Sequence, residues 1–542
     1  MQWRLLLLLC SAGPSGGAFN TCDDVSELKV SLLQSSVHVR SREQHQSSHT
    51  RSSGVHRAAR VDRWPLALSA ALLLCAGCYR SLSSRASIAE MPKILIFVFW
   101  MSWYQYFSGD PFDAFVESMA QCPWPAPVGG RCPAGSRLQG SFCVPEPSDS
   151  PEWSLSARCA DKSLVLSKAA RLNGINASSA SAVTLLTVLL AGAYMDRIGR
   201  KPVILFFLLS SILVKILLSF SCFLSWSPFV MVIIAQNVLE VMSASPVYPA
   251  LNCMISDLTR GDEKERGDCF SALEVTKNSA SLLALISGYP VLRAHQTSYL
   301  LFWASLALVS IAACAFFWRV LPETRKSEQE APASVWRSLC EGLNCCLADA
   351  FLGQYLVLWA IISLAVNSAW GLSTMYLQSY IGMEQANASL CRALWFLALL
   401  AGSALSAPLM RQGVHQTHGA ALLCMAAFWG LCALGGVHKH LAAPLFWVFG
   451  VGGFGVAYGV LTPGFGALVS SRAPPECQGQ VFGLAVVVGT LLGIPLGPLW
   501  SQVFFDAAAE GWRATLPWLV SASLLALCGV WFFVISWLRR EP

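Results

Sequence analysis

A short charged stretch between two apolar runs holds the most distinctive set of residue types in this sequence. Residues 192–201 read GAYMDRIGRK, and an apolar run of membrane-spanning length lies on each side. The carboxylate of Asp196 can accept hydrogen bonds and form ion pairs with donors at the end of a neighbouring helix. Glycine lets two helix backbones approach closely, and basic side chains favour the cytoplasmic face of a membrane. The residues that predict such non-covalent contacts are Gly192, Asp196, Arg197, Gly199, Arg200 and Lys201.

A second candidate is Glu240, which lies near the middle of an apolar run. An ionisable side chain at that depth costs about 2.5–3.5 kcal/mol on insertion scales, so its presence needs a reason. One interpretation is a transport site, in which Glu240 takes up and releases a proton or binds solute with Gln236 and Asn237. The other is a protonated structural glutamate that is hydrogen-bonded to one of these two amides.

Other polar residues in or beside apolar runs allow both functional and structural interpretations. Glu274 and Lys277 are three residues apart on one helix face, which favours a local structural ion pair. Asp110 ends an apolar run, where it either attracts cations or protons or is simply a solvated helix end. Gln105 could orient a substrate in an apolar cavity, although packing is the alternative. Lys215 is expected to extend to the membrane surface or to pair with an acid.

The composition defines the class of protein. The 542 residues are 55% hydrophobic and only 13% charged, with mean hydropathy +0.53, whereas soluble proteins carry about a quarter charged residues. The chain is therefore a polytopic membrane protein whose partner is the lipid bilayer. The net charge of +6 arises at span ends and in the N-terminal segment, so we do not expect nucleic-acid binding. No phosphate-binding loop, metal-ligand cluster or nucleophile–base set is visible, which predicts no cofactor, no metal site and no enzyme activity.

Apolar runs divide the chain into two sets of six predicted spans. We expect a signal-like and disordered extension at residues 1–63, and a further hydrophobic segment with a linker at 64–91. Spans 1 to 6 occupy residues 92–321, a linker follows at 322–350, and six more spans occupy 351–542. Basic residues concentrate in alternate short loops, which predicts that the 192–201 stretch and the linker face the cytoplasm. The predicted spans are 94–112, a span ending at 195, 202–224, 229–254, 270–292, 299–320, 351–377, 391–410, 419–437, 441–469, 480–502 and 515–537.

The pattern G-x-x-x-D-R-x-G-R-K of residues 192–201 resembles the signature loop of the major facilitator superfamily. The resemblance implies an all-α protein of twelve transmembrane helices, arranged as two six-helix bundles around a central cavity. In that family the loop is a conformational latch, closed in the outward-open state and broken in the inward-open state. The corresponding loop of the second half keeps Gly402 but has Ser406 where Asp196 would fall. We therefore expect the stronger latch in the first half.

The long loop after the first span is expected to lie outside the cytoplasm. Its polar, Pro- and Gly-rich sequence suits disulfides in an oxidising compartment, although four cysteines allow three pairings. These are Cys122, Cys132, Cys143 and Cys159. Two glycosylation sequons, at Asn176 and Asn387, fall near the same side. His415 and His418 flank a cytoplasmic loop and are expected to be solvated.

These observations together predict a secondary active transporter of a small organic solute, working by alternating access and with protons as a candidate coupling ion. Within the superfamily the chain resembles the proton-coupled folate transporter and tetracycline-efflux groups. The competing interpretation is a solute sensor or membrane scaffold that uses the same fold without transport. We expect a monomeric, multi-pass protein of the plasma membrane or an endomembrane, with symport and antiport both open.

Overall fold

Long apolar segments become helices in a membrane because each backbone donor and acceptor must be satisfied within its own segment. The computed structural model of the chain describes residues 89–121, 136–139, 142–145, 162–224, 226–259, 263–295, 299–324, 335–381, 385–499 and 511–537. All of them belong to one unit, Trp64–Pro542. Nearly all are helical, apart from a small antiparallel hairpin of β1 (Ser136–Gln139) and β2 (Phe142–Pro145).

The first half contains seven helices that make six spans. They are α1 (Met91–Gln121), α2 (Lys162–Ile198), α3 (Lys201–Ser221), α4 (Trp226–Ala244), α5 (Val247–Leu258), α6 (Glu263–His295) and α7 (Tyr299–Val320). The fourth span is divided into α4 and α5 by a turn at Ser245 and Pro246. Proline has no backbone N–H to donate, so a break of the helix at this point is expected.

The second half begins after helix α8 (Val335–Ala348) and also makes six spans. They are α9 (Ala350–Ser379), α10 (Gln385–Met410), α11 (Val414–Ala433), the divided tenth span, α14 (Gln478–Leu499) and α15 (Leu516–Trp537). The tenth span consists of α12 (Lys439–Leu445), a π-helical segment (Phe446–Gly453) and α13 (Phe454–Arg472). Short 3₁₀ turns, Leu434–Gly436 and Gly511–Thr515, follow α11 and precede α15.

The predicted all-α arrangement of twelve spans is confirmed, with differences at several boundaries. Nine stretches of the described residues are long and apolar enough to cross a membrane, and α1, α6 and α14 supply the other three. The predicted linker at 322–350 is not wholly irregular, because it contains α8. Helix α2 also begins at Lys162, inside the segment predicted to be an outer loop. Both differences arise because polar helices lack the apolar signal on which the span predictions depended.

The two halves meet along two main seams. In one seam α2 of the first half packs against α14 of the second, and in the other α6 packs against α10. Helix α8 lies against α2 and α14. The interior of each half is rich in aromatic side chains, of which Trp303, Trp429 and Trp518 are almost completely buried.

Candidate functional site

Asp196 joins the two halves of the protein at the end of α2. Its carboxylate accepts hydrogen bonds from the backbone N–H groups of Gly479, at 3.1 Å, and Gln480, at 3.2 Å. These amides belong to the first turn of α14, where backbone donors have no partner within the helix. Asp196 is 5% exposed, so a buried carboxylate of one half caps a helix of the other half. The positive end of the α14 dipole adds to this attraction.

Arg200 links the Asp196 carboxylate to Asp257 within the first half. The guanidinium is buried, with Nε 3.1 Å from Asp257 and Nη2 3.5 Å from Asp196. Nη1 also donates to the carbonyl of Met195 at 2.6 Å. Burial works against the charge, but the surrounding acidic groups outweigh it and raise the pKa of Arg200 above its usual value. The guanidinium therefore stays charged between two carboxylates.

Glycines allow the backbones of α2 and α14 to touch. A Cβ atom on Gly192 would lie 2.8 Å from the carbonyl oxygen of Gly479, and one on Gly479 would lie 2.9 Å from that of Gly192. Both distances are shorter than side-chain carbons tolerate, so neither position accepts a larger residue without separation of the helices. Gly192 and Asp196 therefore act at the same point, because both contact Gly479 at the start of α14.

Glu323 lies outside the 192–201 stretch but binds the turn that joins α2 to α3. Gly199 has a φ of 120°, a conformation that favours glycine, and the turn that it makes exposes the first amides of α3. The Glu323 carboxylate accepts from the N–H groups of Arg200, at 3.1 Å, and Lys201, at 3.0 Å.

We refer to Asp196, Arg200, Asp257 and Glu323, with the α14 amides, as the latch. Sequence reasoning missed Asp257, which lies at the end of α5, and Glu323, which follows α7, because neither belongs to the 192–201 stretch. It also placed Arg197 in the latch, although the Arg197 side chain is exposed.

The second seam is held mainly by hydroxyl groups. Ser271 and Ser406 form a hydrogen bond of 2.6 Å between α6 and α10. Asn278 of α6 donates to Ser403 at 3.1 Å, and an ion pair joins Asp268 to Arg411. The residue at the position equivalent to Asp196, Ser406, thus also contacts the other half, but through a neutral group. A further hydroxyl pair, Ser256 with Ser470 at 2.7 Å, joins α5 to α13.

The polar residues predicted around Glu240 do not form one group. Gln236 donates to the Glu240 carboxylate at 2.5 Å on the same helix, whereas Asn237 donates to the carbonyl of Asn176 at 3.0 Å. Lys215 lies within electrostatic range of Glu240. Glu240 is half-buried. Its carboxylate therefore has a hydrogen bond within its own helix and is also partly exposed.

Lys215 occupies the interior of the first half, so the predicted extension to the membrane surface is wrong, whereas the alternative of a nearby acid agrees with its electrostatic interaction with Glu240. Lys215 is 2% exposed, and its Nζ atom lies 4.9 Å from the ring centroid of Tyr104 and 5.3 Å from that of Trp303. The faces of aromatic rings attract cations at such distances. His418 is likewise buried rather than solvated, and its Nε2 lies 3.0 Å from the Tyr355 hydroxyl.

Glu274 and Lys277 form the predicted ion pair on α6, with Nζ 2.6 Å from Oε2. The side chains are 13% and 24% exposed, so neither is sealed from solvent. Lys277 Nζ lies 5.3 Å from the ring centroid of Tyr248. Tyr106 of α1 and Tyr458 of α13 lie within electrostatic range of both charges. The pair therefore lies among tyrosines that both halves contribute.

The remaining predicted residues are distributed along the outer parts of the spans. Gln105 is half-buried on α1, and Asp110 lies further along the same helix. Asn176 lies within α2 at 9% exposure, which argues against a glycan at this position in the present conformation. Asn387 lies in the first turn of α10, and glycosylation there stays a prediction.

The disulfide prediction falls almost entirely outside the described residues. Cys143 lies on β2, opposite Leu138, whereas Cys122, Cys132 and Cys159 lie outside the described part. Among the described residues, no group of three or more His, Cys, Asp or Glu side chains could hold a metal ion.

Comparison with known proteins provides a family match and several structural neighbours. The sequence matches the family model described as Major Facilitator Superfamily over residues 164–498, which is more than half of the chain. No curated protein sequence matches it.

Several solved structures resemble most of the chain. The human organic anion transporter MFSD10 (TETRAN) is 15% identical with a TM-score of 0.51, covering 85% of this chain and 99% of its own. The proton:xylose symporter XylE is 12% identical with a TM-score of 0.59, covering 82% and 96%. A bacterial homologue of the iron transporter ferroportin, in its outward-facing state, is 13% identical with a TM-score of 0.58, covering 83% and 100%. At these identities the likeness shows the fold alone.

Proposed function

Because the chain belongs to the major facilitator superfamily, we propose that it is a secondary active transporter of a small organic solute that works by alternating access. The observation that carries the proposal is the latch, in which a buried carboxylate of one half caps a helix of the other half. A contact of this kind can be made or broken as a unit when the halves move. A permanent seam would need no charged group at its centre, because apolar packing alone would hold it.

The conformation described here has the latch end closed. Asp196, Ser256 and Asp268 all contact the second half at the ends of their helices that adjoin the 192–201 loop. If that end faces the cytoplasm, as the distribution of basic residues predicts, the structure corresponds to an outward-facing state. Opening the latch would then separate the halves on the cytoplasmic side.

Protons are the coupling ion that we propose, with Glu240 as a candidate for the residue that carries them. Its carboxylate is within electrostatic range of Lys215 and is half-buried, so uptake of a proton would change the charge balance of the first half. Its hydrogen bond to Gln236 alone would equally suit a structural role, which the experiment below separates from coupling.

The test is solute-dependent proton flux in proteoliposomes. Purified protein is reconstituted, a pH gradient is imposed, and internal pH is recorded while pools of organic anions, vitamins, sugars and drugs are added. E240Q is compared with the wild type and with E341Q, a matched control on the linker helix α8. Solute-dependent flux that is lost in E240Q and kept in E341Q supports coupling through Glu240. Absence of flux with every pool would favour a sensor or scaffold on the same fold.

A further inference from the structure

We propose that the Glu274–Lys277 pair is the site at which an aromatic monocarboxylate binds, and that one proton enters the site with it. This assignment rests on the proposed transport function and names the solute class for it. Lys277 would bind the solute carboxylate, and Glu274 would take up the proton, in which case Glu240 has the structural role that its hydrogen bond to Gln236 allows. The sequence alone favoured a structural pair, and three features of the structure favour binding instead.

The first feature is the position of the pair between the halves. Helix α6 packs against α1 and α5 of its own half and against α10 and α13 of the other half. Tyr106, which is within electrostatic range of both charges, also packs edge-on against Phe396 of the second half, with ring centroids 4.9 Å apart. A group bound beside Lys277 would therefore contact both halves, and it would sense their relative movement.

The second feature is an excess of hydrogen-bond donors around the pair. The ammonium of Lys277 lies over the Tyr248 ring, and Tyr106 and Tyr458, whose hydroxyls are potential donors, are within electrostatic range of the pair, which supplies one carboxylate. Lys277 is also the more exposed member of the pair, at 24% against 13% for Glu274. A second acceptor that carries negative charge would satisfy these donors, whereas a cation would compete with Lys277 for the Glu274 carboxylate. The site therefore suits an anion.

The third feature is the aromatic wall on the side of the second half. Trp370 and Trp395 stack with centroids 4.0 Å apart, and Trp395 lies 6.3 Å from Tyr458. Flat apolar surfaces of this kind favour offset stacking with a planar solute. A carboxylate attached to an aromatic ring would place its charge at Lys277 and its ring against this wall.

The charges of the bound state balance only if a proton is taken up. Before binding, the site holds Glu274 as a carboxylate and Lys277 as an ammonium, so its net charge is zero. When the solute carboxylate displaces Glu274 from Lys277, a proton from solution forms the O–H bond of neutral Glu274. The occupied site again has zero net charge, which avoids the cost of an uncompensated charge among apolar helices. Solute and proton thus bind in a ratio of one to one.

Ligand-induced thermal stabilisation of the purified full-length protein tests this assignment without a transport assay. The probe is benzoate, with benzamide as its neutral analogue and benzylamine as its cationic analogue. Each is titrated at about pH 5 and about pH 8, because binding that takes up a proton is tighter at the lower pH. We expect stabilisation of the wild type by benzoate alone, with tighter apparent binding at the lower pH.

Variants of the two residues make the expectation specific. K277M is expected to weaken benzoate binding by about tenfold to a hundredfold, the usual effect of losing a hydrogen-bonded charge partner. K277R is expected to keep binding, and K439M, which alters a lysine 5.4 Å from the ring centroid of Tyr380 and outside the site, is the matched control. E274Q imitates the protonated acid, so it is expected to bind benzoate equally well at both pH values. A merely structural pair would not lose its pH dependence in this way.

Equal stabilisation by all three probes, no stabilisation by benzoate, or unchanged benzoate binding in K277M would overturn the assignment. Uptake of radiolabelled benzoate by proteoliposomes then separates the two proposals. Binding without uptake would contradict transport and leave the site assignment intact. Uptake that K277M and E274Q leave unaltered would support transport and refute the site.

Discussion

Replacing Asp196 with asparagine removes the charge that links the two halves at the latch. The carboxylate accepts from two backbone amides of α14, at 3.1 and 3.2 Å, and hydrogen bonds to charged groups contribute about 1.5–3 kcal/mol each. The asparagine oxygen can keep one bond in weakened form, but its NH₂ group would face the other donor. We therefore expect the closed latch to lose about 2–3 kcal/mol, a shift of about 30- to 150-fold toward opening.

Amide hydrogen exchange measures this loss at the atoms concerned. The N–H groups of Gly479 and Gln480 are protected by Asp196, so D196N is expected to accelerate their exchange by about the same 30- to 150-fold. D349N is the matched control, because Asp349 caps α9 by accepting from the N–H groups of Phe351 and Leu352 within one half. It should accelerate exchange at the start of α9 and leave the start of α14 unchanged.

Unchanged exchange at Gly479 and Gln480 in D196N would refute the reasoning, since those amides would then owe their protection to burial alone. Acceleration that D349N reproduces at α14 would refute it equally, because it would indicate general loosening of the helices.

Three further substitutions follow from the same geometry. G192A places a Cβ 2.8 Å from the Gly479 carbonyl, so we expect about 1–3 kcal/mol against the closed state, visible as faster exchange along α14. G199A forces alanine to a φ of 120° beside Glu323, and we expect a loss of about 1–3 kcal/mol in thermal unfolding of detergent-solubilised protein. S406A removes one neutral hydrogen bond to Ser271, and we expect only about 1 kcal/mol and a smaller effect on exchange than D196N. An S406A effect equal to that of D196N would contradict the unequal strengths assigned to the two seams.

Local sequence patterns predicted the spans well and the contacts between spans poorly. The sixth span was predicted at 299–320, and α7 has those bounds, because a helix of 22 mostly apolar residues leaves little choice. The tenth span was predicted as one run, but it contains a π-helical segment, which depends on packing against its neighbours and not on hydropathy.

The latch shows the same division between local and long-range information. The 192–201 motif drew attention to Asp196 and Arg200, which contact each other in the structure, since both lie close together in the chain. It could not predict Glu323, which reaches the same turn from the end of α7, 123 residues beyond Arg200. The sequence predicted that Lys215 lies near the middle of a span. It could not predict that the side chain points into the protein, because the sequence of one helix does not show which face packs against aromatic rings.

The buried ammonium of Lys215 has a consequence for how the first half assembles in the membrane. Helix α3 has the highest mean hydropathy of the nine candidate spans, 2.6, which helps it to enter the bilayer despite a charge costing about 2.5–3.5 kcal/mol. The cation–π interaction with each nearby aromatic ring stabilises the ammonium by about 0.5–2 kcal/mol. One ring, on Tyr104, comes from a helix synthesised earlier, and the other, on Trp303, from one synthesised later. The contacts that stabilise the Lys215 side chain of α3 are therefore complete only when both α1 and α7 are in place.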